Sequence, residues 1–107
     1  MQGVDVFDVY SSGAGGSTTD RVTTFSHRLV NVAAFVSTDT LYRHVIVLDS
    51  NGQLYDYSYT PQQAFGQTSL GSIPNVIVIV AYYSAYGTTC HVIVATGDRK
   101  MHEVYYS

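Results

Sequence analysis

The sequence is poor in residues that mark several common classes of protein. Its 107 residues include no tryptophan, one cysteine and only 12% charged residues, about half the usual share. A single cysteine excludes an internal disulfide, and Cys90 is expected to be a small buried thiol. The net charge of −3 offers no basic stripe for phosphates to follow, so nucleic-acid binding is not expected.

Long apolar runs are missing as well. The longest, Val76 to Ala81, has the length of a strand and falls far short of the roughly 18 residues of a membrane span. Met1 to Asp5 lack the basic start and apolar core of a signal peptide, so we expect a soluble protein, cytoplasmic by default. No window joins a helical apolar stripe to a capping box, and no helix is predicted.

What the sequence does contain is an internal repeat. The string His-Val-Ile-Val occurs at His44 to Val47 and again 47 residues later, at His91 to Val94. The match extends to Leu54–Tyr57 and Met101–Val104, which are also 47 residues apart. A partial copy, Val6 to Val9, opens the chain. A period of about 40 to 50 residues built from short strands is the sequence signature of β-propeller blades.

Short segments rich in β-branched and aromatic residues, ended by turn residues, predict nine strands. They are Val4–Ser11, Arg21–Ser26, Val32–Ser37, His44–Asp49, Gln53–Thr60, Thr68–Ser72, Val76–Tyr83, His91–Thr96 and Lys100–Tyr106. Hairpins one period apart are predicted at Ser50–Gly52, where Asn-Gly tolerates the positive φ angles of tight primed turns, and at Gly97–Arg99. The composition of Ser12–Thr19 predicts a flexible surface loop.

These strands group into four-stranded antiparallel meanders, which predicts an all-β fold: one partial β-propeller domain over residues 1–107. It comprises an incomplete blade at 1–30, a blade at 31–73 and an incomplete blade at 74–107. Val76–Val80 and Val92–Val94 are apolar on both faces, so both faces are expected to be covered. A propeller has about four to eight blades, and incomplete blades expose strand edges. We therefore expect several copies to close a ring.

The chain resembles the blade repeat of bacterial propeller lectins of the fucose-binding type over nearly its whole length. The similarity lies in Ser69-Leu70-Gly71, the apolar Val76–Val80, the strand His91–Thr96, the hairpin at Gly97-Asp98 and the segment Met101–Glu103. The resemblance implies two blades per chain, trimers that form a six-bladed ring, and sugar sites between blades. Unlike those lectins, this chain has no tryptophan and few arginines, which leaves tyrosine and histidine as stacking rings.

An acid beside a ring recurs in each repeat, at Asp8, Asp56 and Glu103. A carboxylate that accepts two hydroxyls beside a ring is typical of sugar recognition. The alternative is that these acids lie on an outward strand face or bond to the next blade, and repetition alone does not decide between the two. The candidate ligand-binding residues are Tyr55, Asp56, Tyr57, His102 and Glu103, with His44 and His91 as donors and Arg43 and Arg99 as clamps.

Catalysis, metals and cofactors are not expected. Neither a nucleophile elbow nor a phosphate-binding glycine loop is present, and no Cys or His pair within a repeat has metal-ligand spacing. The acids lie one repeat apart, whereas a glycosidase places two across one sugar. The sequence predicts a non-catalytic carbohydrate-binding protein that is multivalent through homo-oligomerisation. The alternative is a structural or protein-interaction propeller fragment without a small-molecule site.

Overall fold

The computed structural model describes residues 4–11, 17–25, 28–37, 42–59, 65–84 and 88–107. These ranges contain nine strands and no helix, which confirms the all-β prediction. The strands are β1 (Val4–Ser11), β2 (Ser17–Phe25), β3 (Leu29–Ser37), β4 (Tyr42–Asp49), β5 (Gln53–Tyr59), β6 (Gly66–Ser72), β7 (Val76–Ser84), β8 (Thr89–Thr96) and β9 (Met101–Tyr106). Within the same ranges, no helix could cross a membrane.

All nine predicted strands are present, and most of their ends move by only a few residues. The largest difference is in β2, which begins at Ser17, inside the segment predicted as a loop. There β2 pairs with β1, with Ser17 opposite Ser11 and Thr18 opposite Tyr10. The threonines that indicated a polar loop are β-branched, and such residues also suit a strand.

The strands form three antiparallel sheets, each made of strands that are consecutive in sequence. Sheet A contains β1 and β2, sheet B has the order β3-β4-β5-β6, and sheet C has the order β7-β8-β9. Sheet B is therefore a four-stranded meander. Sheets B and C share the 47-residue repeat, so β3, β4 and β5 are equivalent to β7, β8 and β9.

Sheet B packs against a sheet on each side because β4 is apolar on both faces. Successive side chains of a strand point to opposite faces. Val45 and Val47 pack in a cluster with sheet A, whereas Ile46 and Leu48 pack in a cluster with sheet C. Burial of each such side chain stabilises the fold by about 1.5–3 kcal/mol. Between sheets B and C, the most extensive strand-to-strand contact is that of β3 with β7.

The prediction that both faces of β7 are covered holds for one face only. Ile79 is buried against sheet B, but Val78 and Val80, on the other face, are 44% and 56% exposed. We call this other side the outer face of sheet C, and no described strand of the chain packs on it. The apolar pattern of β7 is therefore only partly explained by contacts within one chain.

The two hairpin turns share one backbone conformation. The Gly52 N–H donates to the Asp49 carbonyl at 3.1 Å, and the Arg99 N–H donates to the Thr96 carbonyl at 3.1 Å. The positive φ angles fall on Gly52 (82°) and Arg99 (69°), and Asn51 has none. Both predicted hairpins are therefore present, since β4 pairs with β5 and β8 with β9 across these turns. They are three-residue turns with a left-handed residue before the next strand, and not the primed type that Asn-Gly favours.

Candidate functional site

A ring, a histidine and an acid lie side by side on the face of sheet B that contacts sheet C. The register of β3 and β4 places Phe35 opposite His44, and their rings stack with centroids 4.6 Å apart. His44 Nδ1 lies 2.9 Å from Asp56 Oδ2 on β5. We call His44 and Asp56 the buried pair, because His44 is 8% and Asp56 only 1% exposed.

Further hydroxyl groups enclose the buried pair. Ser58 Oγ donates to Asp56 Oδ1 at 3.0 Å, and the Tyr106 hydroxyl donates to Asp56 Oδ2 at 2.6 Å. Ser37 Oγ lies 3.4 Å from His44 Nε2. Tyr106 belongs to β9, so its bond joins sheet C to sheet B. No buried side-chain nitrogen or oxygen among the described residues lacks a hydrogen-bond partner.

The Tyr106 hydroxyl is held in its neutral form. Burial raises the pKa of Tyr106 far above its ordinary value, and the nearby Asp56 carboxylate raises it further. The phenol therefore remains a donor to Asp56 across the ordinary pH range. The buried pair thus serves as a link between two sheets and is almost fully shielded from solvent.

The equivalent residues of sheet C are open to solvent. Tyr82 stacks on His91 with ring centroids 4.6 Å apart, and His91 Nδ1 lies 2.8 Å from Glu103 Oε2. The Tyr82 hydroxyl lies 3.5 Å from the same oxygen. The Glu103 side chain is 40% exposed, and the neighbouring Tyr105 is 68% exposed. We call Tyr82, His91, Glu103 and Tyr105 the open site.

The buried pair and the open site differ in the group that covers the acid. At Asp56 the covering group is the phenol of Tyr106, which sheet C supplies. In the described part of the chain, no side chain takes the corresponding position at Glu103. Both contacts of Glu103 fall on Oε2, so Oε1 is left to accept a hydroxyl from outside the chain.

The other predicted site residues lie elsewhere. Tyr55 and Tyr57 pack in the cluster between sheets A and B, and the Arg43 guanidinium lies 4.2 Å from the Tyr59 ring centroid. His102 is exposed on the face of β9 opposite Glu103, and Arg99 is exposed in its hairpin turn. The Asp8 side chain lies outside what the structure describes.

Both histidines of the repeat and the acids that they contact were thus predicted from the sequence. Phe35, Ser37 and Ser58 were not predicted, and neither was the bond from Tyr106 to Asp56. One signal was present: Phe35 and Tyr82 are 47 residues apart, and each stands nine residues before its histidine. A ring at the same place in both repeats could have been added to the candidate set.

The described side chains contain no group of three or more His, Cys, Asp or Glu that could hold a metal ion. No known family model, curated protein or solved structure matches the chain. The open site is therefore interpreted from its own geometry. It offers an acceptor, a histidine and aromatic rings on an accessible surface.

Proposed function

We propose that this chain is a non-catalytic carbohydrate-binding protein and that the open site is where it binds sugar. The main support is the accessible Glu103 carboxylate, which His91 holds at 2.8 Å beside the exposed ring of Tyr105. Carboxylates accept sugar hydroxyls strongly, and aromatic rings pack against the apolar face of a sugar. The phenol that binds Asp56 is an internal example of a hydroxyl bound to the equivalent acid.

A sugar hydroxyl would take at Glu103 the place that the Tyr106 phenol holds at Asp56. Fucose-like or other neutral monosaccharides fit this chemistry. The site is shallow, so the affinity per site would be weak, and self-association into a ring of propeller blades would supply multivalency. Asp56 is buried, so it does not face Glu103 across one sugar, as a glycosidase would require.

The test is the binding of free monosaccharides, fucose among them, measured by saturation-transfer NMR on the sugar signals. Glu103→Gln should weaken binding about tenfold or more, because a hydrogen bond to a charged group contributes roughly 1.5–3 kcal/mol. Asp5→Asn is the matched control, since Asp5 is an exposed acid on β1, and it should bind as the native chain does. Equal binding by the Glu103 variant, or no binding of any sugar by the native chain, would refute the proposal.

A structural or protein-interaction role is the second candidate. It is favoured by the outer face of sheet C, where Val78, Val80 and Met101 are exposed together with the tyrosines. Contiguous apolar surface of this kind is typical of interaction sites. A chain that assembles and binds no glycan would favour this role.

A further inference from the structure

We infer that the open site binds a protonated amine, and that it takes an amino sugar in preference to the neutral counterpart of that sugar. The ammonium group would lie between the Glu103 carboxylate and the ring of Tyr105. That the amine belongs to a sugar rests on the proposed function. That the site takes a cation rests on its charge and its rings alone.

The strands of sheet C contain one acid and no lysine or arginine. In β7, β8 and β9, Glu103 is the only residue of the Asp, Glu, Lys and Arg types. Arg99 and Lys100 lie in the hairpin at one end of the sheet, and neither forms an ion pair with Glu103 in the described part of the chain. The basic side chain in contact with Glu103 is that of His91, and a neutral imidazole leaves the negative charge of the carboxylate uncompensated. A cation from outside the chain is therefore complementary to this surface.

The repeat shows how the surroundings of the acid change between the two sheets. Asp56 has a histidine and two hydroxyl groups as partners, and one of these hydroxyls is that of Ser58. The residue 47 positions after Ser58 is Tyr105. Where sheet B has a short hydroxyl that donates to the acid, sheet C thus has an aromatic ring. The substitution removes one donor from the acid and adds a ring face beside it.

Three rings form a row across sheet C next to Glu103. The register places Tyr82 opposite His91 and His91 opposite Tyr105, with centroids 4.6 Å and 6.4 Å apart. Tyr105 is two residues from Glu103 on the same face of β9, so their Cα atoms lie about 7 Å apart. A cation beside Glu103 can therefore come within roughly 6 Å of a tyrosine ring, the range in which the face of a ring attracts it.

An ammonium group interacts favourably with both parts of this site, whereas a hydroxyl interacts strongly with the carboxylate alone. A bond from a charged N–H to a carboxylate is stronger than one from a neutral donor, and the ring adds its attraction for the cation. Both contacts are exposed to solvent, which keeps each of them modest. Together they should make an amino sugar bind about five- to tenfold more tightly than its neutral counterpart.

The test compares matched sugars by saturation-transfer NMR titration at about pH 7, where an amine still carries its proton. Glucosamine should bind the native chain about five- to tenfold more tightly than glucose or N-acetylglucosamine, which have no charged amine. Glu103→Gln removes the charge and keeps the shape of the side chain, so it should bring glucosamine and glucose to equal affinity. Asp98→Asn is the matched control, because Asp98 is an exposed acid in the hairpin of the same sheet. It should keep the preference of the native chain.

Choline and its uncharged isostere, in which a carbon replaces the nitrogen, test the contact with a cation without a sugar. Choline should bind several-fold more tightly than the isostere, and Tyr105→Leu should reduce this difference. Equal affinities of the native chain for glucosamine and glucose, or a preference for glucosamine that persists in Glu103→Gln, would overturn the inference and leave the proposed function standing. Binding of choline but of no sugar would refute the proposed function and leave the contact with a cation standing. Circular dichroism checks that each variant keeps its strands.

Discussion

Removing the Tyr106 hydroxyl should destabilise the fold by about 2 kcal/mol. In Tyr106→Phe, Asp56 loses a donor at 2.6 Å but keeps His44 and Ser58. A hydrogen bond to a charged group contributes about 1.5–3 kcal/mol. The cost should therefore stay below the roughly 3–5 kcal/mol of a buried charge that has lost its ion-pair partner. For a domain of this size, the melting temperature should fall by roughly 8–16 °C.

Tyr105→Phe is the matched control, because Tyr105 is the adjacent residue and is 68% exposed. Tyr105→Phe should change the free energy of unfolding by no more than about 0.5 kcal/mol, as most surface substitutions do. The assay is urea unfolding followed by far-UV circular dichroism. All variants are compared at one protein concentration, since any association would raise the apparent stability.

Equal unfolding free energies for the two variants would refute the role of the Tyr106 bond. A double-mutant cycle with Asp56→Asn tests the pairing directly. We expect a coupling energy of about 1–2 kcal/mol between the two side chains. A coupling energy near zero would mean that Tyr106→Phe loses unfolding free energy through packing of the ring, and not through the hydrogen bond between the sheets.

Two further predictions concern packing and pH. Leu54 and Met101 are equivalent in the repeat but are 0% and 76% exposed. Leu54→Ala should therefore lower the free energy of unfolding by about 2–5 kcal/mol, and Met101→Ala by less than about 0.5 kcal/mol. Equal losses of unfolding free energy in urea would contradict the packing. Burial raises the pKa of both Tyr106 and Tyr57 above the ordinary value of 10.0. Above pH 10.0 the unfolded chain releases these protons before the folded chain does. The stability that the neutral phenols contribute is therefore complete below that pH and declines above it. Tyr106→Phe should make this decline of stability at alkaline pH less steep. An unchanged dependence of the unfolding free energy on pH would contradict the role of the Tyr106 phenol.

The strands and the repeat were predictable because both depend on local sequence. Enrichment in β-branched and aromatic residues, interrupted by turn residues, was sufficient to place all nine strands. The 47-residue shift also placed each histidine on the strand next to its acid, as the register of β4 with β5 and of β8 with β9 bears out. The error in β2 arose because threonine suits both polar loops and strands.

The different environments of the two histidine–acid pairs could not be predicted from sequence. His44 and His91 begin the same string His-Val-Ile-Val, and their distances to Asp56 and Glu103 are nearly the same, 2.9 Å and 2.8 Å. Their difference comes from Tyr106, which is 50 residues from Asp56 in sequence and meets it only because sheet C packs on sheet B. Burial of this kind is a property of the assembled sheets, and the repeat itself carries no signal for it.

The same side-chain arrangement can therefore have two roles in one chain. Where the next sheet supplies a phenol, the acid links two sheets and contributes to stability. Where no sheet among the described residues covers it, the proposed function gives the acid a free oxygen for a sugar hydroxyl. If sugar binds as proposed, the number of sugar sites would follow from the number of sheet faces that the protein leaves uncovered, and not from the number of histidine–acid pairs. On this argument Glu103→Gln should affect sugar binding while leaving stability nearly unchanged, and Tyr106→Phe should affect stability first.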